Sequence, residues 1–115
     1  MEIVMNKLTK EELMKIYNVG ENLADKPIFI DFYADWWGPC RMFEQVLNDV
    51  EPEYSNKIKM YKVNIEEEPE IAGLFRVMGV PNTTLISKGG DVFSQPGALP
   101  EDTLKYYLEG LISKK

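Results

Sequence analysis

The 115-residue sequence predicts one α/β domain built on a mixed β-sheet, parallel in its first half and antiparallel in its second. Three observations carry this. Strand-like and helix-like periodicities alternate along the chain as βαβαβα and then ββα, and strands joined through crossover helices pair in parallel. The tight turn Lys88-Gly89-Gly90-Asp91 separates two strand-like runs, which a hairpin pairs antiparallel. The third is the apolar run from Ile28 to Ala34, rich in β-branched and aromatic residues. It reads as a buried central strand that breaks at Gly38-Pro39, where a helical pattern begins.

The elements follow in order. Ile3, Val4 and Met5 predict a short edge strand. Leu8-Thr9-Lys10-Glu11-Glu12-Leu13 predicts a helix start, with Thr9 and Glu12 at capping-box spacing and Leu8 and Leu13 at staple spacing. Leu13, Ile16 and Tyr17 share its apolar face, and Gly20 suits its end. Asp25-Lys26-Pro27 turns the chain into the central strand. The next helix carries Phe43, Val46, Leu47 and Val50, and Pro52 is expected to end or kink it near Val50. Lys57 to Val63 alternates as a strand. Glu66, Glu67, Glu68 and Pro69 open a short helix whose apolar residues are Ile71, Leu74 and Phe75. After the break at Gly79-Val80-Pro81 come the strands Thr83–Ile86 and Val92–Ser94, then a bend at Gln95-Pro96-Gly97. Pro100 opens a last helix with Leu104, Tyr107, Leu108, Leu111 and Ile112 on one face, and Lys114-Lys115 suits its negative end. No linker or repeat divides residues 1–115, so one domain is expected.

Composition narrows the partners. A formal net charge of −6 and an acidic isoelectric point argue against nucleic acid or an anionic membrane surface. One cysteine and no histidine leave no internal disulfide and no ordinary zinc site, so neither metal nor cofactor is expected. A lone thiol fits a reducing compartment. Residues 1–7 build no apolar signal core, and no stretch approaches the ~18 apolar residues of a membrane span. The expectation is a cytoplasmic monomer.

Strand, sharp turn and helix N-terminus, with Cys40 one turn in, form a thiol site where backbone N–H groups and the helix dipole would favour a thiolate. With Trp36-Trp37-Gly38-Pro39-Cys40 on this corner, the chain resembles the thioredoxin family, whose motif there is Trp-Cys-Gly-Pro-Cys. The resemblance spans nearly the whole chain and implies the thioredoxin fold, a central mixed sheet with helices on both faces. It also implies a protein disulfide oxidoreductase of cellular redox homeostasis and electron transport, acting on protein disulfides and drawing electrons from a thioredoxin reductase. Trp37 stands in place of the attacking first cysteine, so dithiol turnover is expected to be lost or severely impaired. Trp codons lie one base from Cys codons and from UGA, so Trp37 reads as a natural loss, an engineered change or a UGA read as tryptophan. Gln45 and Asn82 also depart from the family, which usually has Pro and Thr there.

The resemblance assigns the remaining site residues. Cys40 matches the resolving cysteine, and its plainer reading is a small buried hydrophobe. Asp31 interrupts an apolar strand, so desolvation should raise its pKa. It matches the family's proton acceptor, with Lys62 as its neighbour; the plainer reading is a half-buried Asp31 paired with Lys62 for stability. Val80-Pro81 matches the cis-proline loop, whose backbone pairs with an extended substrate segment, and Gly97 matches the groove glycine. Trp36, Trp37, Gly38, Pro39, Gly79, Val80, Pro81, Gly97 and Ala98 would together form an apolar, peptide-sized groove. Two further readings follow: a non-redox module binding proteins or extended peptides there, and a single-thiol enzyme using Cys40 with an external thiol.

Overall fold

In a computed structural model describing residues 5–114, the chain forms seven strands and four helices. They are β1 (Asn6–Lys7), α1 (Lys10–Ile16), β2 (Tyr17–Asn18), β3 (Glu21–Asn22), β4 (Ile28–Tyr33), α2 (Gly38–Tyr54), β5 (Lys59–Asn64), α3 (Pro69–Leu74), β6 (Asn82–Ile86), β7 (Val92–Pro96) and α4 (Glu101–Ser113). Five strands form one sheet in the order β1-β5-β4-β6-β7, and β2 and β3 form a separate hairpin. β4 pairs in parallel with β5 and antiparallel with β6, and β6 pairs antiparallel with β7, as the sequence predicts. Both layers are present.

Every residue of β4 is buried, because helices cover both faces of the sheet. Phe29 and Leu85 pack with Phe43, Leu47 and Val50 of α2 and with Leu104, Leu108 and Leu111 of α4. Ile28, Ile30 and Phe32 face the other way, onto Leu8, Leu13 and Ile16 around α1 and Ile71 of α3. The alternation of β4 therefore divides the core into two. Asp31 has the parity of Phe29 and belongs to the α2–α4 side.

The start of α1 forms as expected, with Thr9 Oγ1 accepting from the Glu12 N–H at 3.1 Å. Glu12 leaves the capping box half-made, because its carboxylate accepts from Tyr61 Oη at 3.1 Å instead. Several expectations are corrected. Gly20 does not end α1; the helix stops at Ile16, and Gly20, with φ +77°, sits in the turn joining β2 to β3. Gly90 of the β6–β7 turn approaches it so closely that a Cβ there would lie 2.4 Å from the Gly20 carbonyl oxygen. α2 does not stop near Val50 but continues through Pro52 to Tyr54. Its last turn is held on both sides of the proline by Val50, wholly buried, and Tyr54, whose Oη donates to Glu109 Oε2 of α4 at 2.6 Å. Leu74 is half exposed, leaving Ile71, Ala72 and Phe75 to seat α3. Gln95 and Pro96 extend β7 rather than forming a bend. Lys114 leaves the end of α4 to pair with Asp91 at 3.2 Å. Of the expected Ile3–Met5 strand, Ile3 and Val4 lie outside the described residues, as does Lys115; the edge strand here is Asn6–Lys7.

Candidate active site

Beyond Tyr33 the chain leaves the sheet and must turn sharply to start α2. The Trp37 N–H donates to the Ala34 carbonyl at 3.2 Å, closing that turn. Trp37 is the N-cap residue of α2, extended at φ −92° and ψ 119°, and its side chain makes no capping bond because indole has no acceptor. Its carbonyl accepts from the N–H groups of Cys40 and Arg41 at 3.1 and 3.2 Å. Pro39 lies in the first turn, where the missing N–H costs nothing. The rings of Trp36 and Trp37 meet edge-to-face with centroids 5.7 Å apart, and Trp36 Nε1 donates to Glu66 Oε1 at 2.9 Å. Trp36 is 67% exposed and Trp37 42%.

The antiparallel register Phe32↔Asn82 brings the start of β6 to the same end of the sheet. There the Val80–Pro81 peptide is cis, and the Pro81 carbonyl accepts from the Gly97 N–H at 2.9 Å. Gly97 has φ +91°, a conformation that favours glycine. Gly38, Gly79, Gly97 and Ala98 are exposed, Pro39 and Val80 half-buried and Pro81 buried. Asn82 is buried and donates from Nδ2 to Ser94 Oγ at 2.9 Å, so this residue ties β6 to β7. Met78, 96% exposed one residue before Gly79, is an apolar group at this end that the sequence reading did not single out.

Cys40 is 5% exposed and unpaired. Burial and the charge of Asp31 push its thiol up, and a backbone hydrogen bond at Ala34 only partly opposes them. The helix N-terminus therefore does not produce the expected thiolate; desolvation outweighs it. Asp31 is 6% exposed, and among the described residues its Oδ1 has no hydrogen-bond partner. Its carboxyl is pushed up to about 7, first by burial and then by Glu44, with Lys62 pulling down. Lys62 is the register partner of Asp31 on β5, yet its Nζ lies 5.8 Å from the Tyr33 ring centroid, and among the described residues it makes no ion pair within 4.0 Å. Among the described residues Asp31 is thus buried without an ion-pair partner rather than half-buried and salt-bridged to Lys62. Glu44, one helical turn beyond Cys40, is a second carboxylate that the sequence reading missed; the i, i+4 spacing from Cys40 was the available signal.

Residues 5–110 match the thioredoxin family model. The chain belongs to the thioredoxin family. It is similar to thioredoxin 1 of Nostoc sp., 41% identical over 87 residues that make up 75% of this chain and 80% of that protein. It is also similar to the thioredoxin of Haemophilus influenzae, 38% identical over 85 residues covering 74% and 79% of the two chains. A solved structure of a mutant thioredoxin from Halobacterium salinarum superposes with a TM-score of 0.79 at 28% identity, covering 96% of this chain and 92% of that one. The fold is the thioredoxin fold, and the family is one of thiol–disulfide oxidoreductases. Within it this chain carries a single cysteine. Among the described residues no helix is long and apolar enough to cross a membrane.

Proposed function

We propose that this chain derives from a dithiol protein-disulfide reductase and keeps that site apart from the attacking thiol, so that the chain as written is inactive or nearly so in dithiol turnover. One observation carries the reading: Cys40 is still buried at the helix start, within electrostatic reach of a buried Asp31 carboxyl whose Oδ1 has no hydrogen-bond partner among the described residues. A stability role alone gives no reason to bury an unpaired carboxyl, which is costly.

The roles follow from the chemistry. In an intact site the first thiolate attacks a substrate disulfide, forming a mixed disulfide and releasing one substrate thiolate. The second thiol gives its proton to Asp31 and attacks the mixed disulfide, releasing the other substrate thiolate and closing an internal disulfide. A thioredoxin reductase returns two electrons. Lys62 moderates the charge of Asp31, and Trp36, Gly38, Pro39, Gly79, Val80, Pro81, Gly97 and Ala98 hold an extended segment by strand addition. Here the first step has no nucleophile, because the side chain of Trp37 cannot supply a thiolate. The protein works in this reading as a monomer in the reducing cytoplasm.

Insulin disulfide reduction by dithiothreitol tests this. The chain as written stays at background and Trp37→Cys restores turnover; background rates for both would show that the site has drifted beyond one residue. A second reading, a non-redox module for proteins or extended peptides, is favoured by the exposure of Trp36, Trp37 and Met78 around the groove. It predicts binding that survives Cys40→Ser and falls with Trp36→Ala. The single-thiol reading is disfavoured by the burial of Cys40.

A further inference from the structure

We propose that the Thr83 hydroxyl is the internal hydrogen-bond donor for the ionised Asp31 carboxylate, a positioning residue that sets how readily Asp31 gives and takes its proton. This deepens the reading of Asp31 given above. Among the described residues three buried side-chain oxygens lack a partner: Asp31 Oδ1, Asn48 Oδ1 and Thr83 Oγ1. Two of the three are register partners, Asp31 on β4 and Thr83 on β6. Directly opposed residues of an antiparallel pair project to the same face, with Cβ atoms about 5 Å apart. Both are almost fully enclosed, at 6% and 1% exposure.

The neighbouring threonine sharpens the contrast. Thr84 points to the other face, and its Oγ1 donates to Asn82 Oδ1 at 2.8 Å. Thr83 has no such outlet, and a buried hydroxyl without a partner costs free energy that an isosteric valine would avoid. A hydroxyl is useful there if its neighbour changes charge. Neutral Asp31 carries an O–H donor of its own, but the ionised carboxylate is acceptor-only and demands donors from its neighbours. Lys62 does not meet that demand directly, since its Nζ lies over the Tyr33 ring. Donation to the carboxylate requires a turn about the Thr83 χ1 bond between staggered wells that carries Oγ1 to it. Thr83 also borders a groove of about 460 Å³ between β7 and α4, so it is not closely packed on every side. The titratable and charged groups coupled to Asp31 are Glu44 and Cys40 of α2, Lys62 of β5 and Tyr33 of its own strand. Thr83, the register partner, adds a hydroxyl that does not titrate.

The test is the titration of the Asp31 side-chain carboxyl, followed by carbon NMR in the chain as it exists and in Thr83→Val and Thr83→Ser. Loss of the donor disfavours the ionised form, so the Asp31 midpoint should rise by about one pH unit in Thr83→Val, a tenfold change in acid constant. Thr83→Ser keeps the hydroxyl and should stay within about 0.3 unit of the parent. If Thr83→Val does not fold, Thr83→Ala is read in the same way. An unshifted or lowered midpoint without the hydroxyl overturns the proposal, as does a Thr83→Ser shift as large as that of Thr83→Val. The measurement needs no turnover, so it is independent of whether Trp37→Cys regains activity.

Discussion

Cys40 sits at a helix start and is nonetheless a poor thiolate, because two effects of opposite sign meet at one sulfur. The helix end favours the charged form by roughly 0.3–1 kcal/mol when exposed. Burial disfavours it, and the nearby Asp31 charge adds to that. The Asp31 contribution can be isolated, since it exists only while Asp31 is ionised, above about pH 7. In Asp31→Asn, labelling of Cys40 by a small alkylating reagent should run roughly 2–5 times faster than in the parent at pH 8.5. At pH 5.5, where Asp31 is protonated, the two chains should label at the same, slower rate. Equal rates at pH 8.5 would show that Asp31 does not sense the thiol.

The helices and hairpins show which sequence signals survive packing. α2 crosses Pro52 because tertiary contacts at Val50 and Tyr54 outweigh one absent N–H, a local penalty of about 3 kcal/mol. Tyr54 is central to that balance. Its hydroxyl bonds a carboxylate on α4, so Tyr54→Phe should lower unfolding free energy by about 1.5–3 kcal/mol, measurable by urea denaturation. A loss below about 0.5 kcal/mol would mean that the apolar ring alone holds the turn. Thr9, the Gly89-Gly90 turn and Pro100 were readable because capping and turn geometry are local chemistry. The β2–β3 hairpin was not, since Tyr17, Asn18, Glu21 and Asn22 form strands only two residues long. Gly20 consequently looked like a helix end. Leu74 fitted a helical apolar face by spacing, but a six-residue helix buries too narrow a stripe to cover it.

The same limit governs the whole molecule, where the site is a product of topology. The corner after β4 and the loop before β6 lie at the same end of the sheet because these strands are antiparallel neighbours. The resemblance points to Trp36, Trp37, Pro81, Gly97 and Cys40 as candidate site residues, and the place of Asp31 in an apolar run points to its burial. The nearness of Thr83 and Glu44 to Asp31 is not legible in the sequence, because it depends on strand register and helix phase. Burial of that carboxyl also gives the fold a pH signature. In the unfolded chain Asp31 titrates near its ordinary value of 3.8, and in the folded chain at about 7. Between these values the folded state holds a proton that the unfolded state has lost, so stability falls as pH rises through the window. The contribution is fully present below pH 3.8, is lost by about pH 7, and amounts to about 4 kcal/mol in total. Urea unfolding at pH 5, 6, 7 and 8 should show the parent losing stability relative to Asp31→Asn, with the difference levelling off above pH 7. Asp31→Asn should be the more stable chain at pH 8 by about 2–4 kcal/mol. Parallel pH profiles for the two chains would mean that Asp31 is solvated or paired in solution, and that its burial is not what raises its proton affinity.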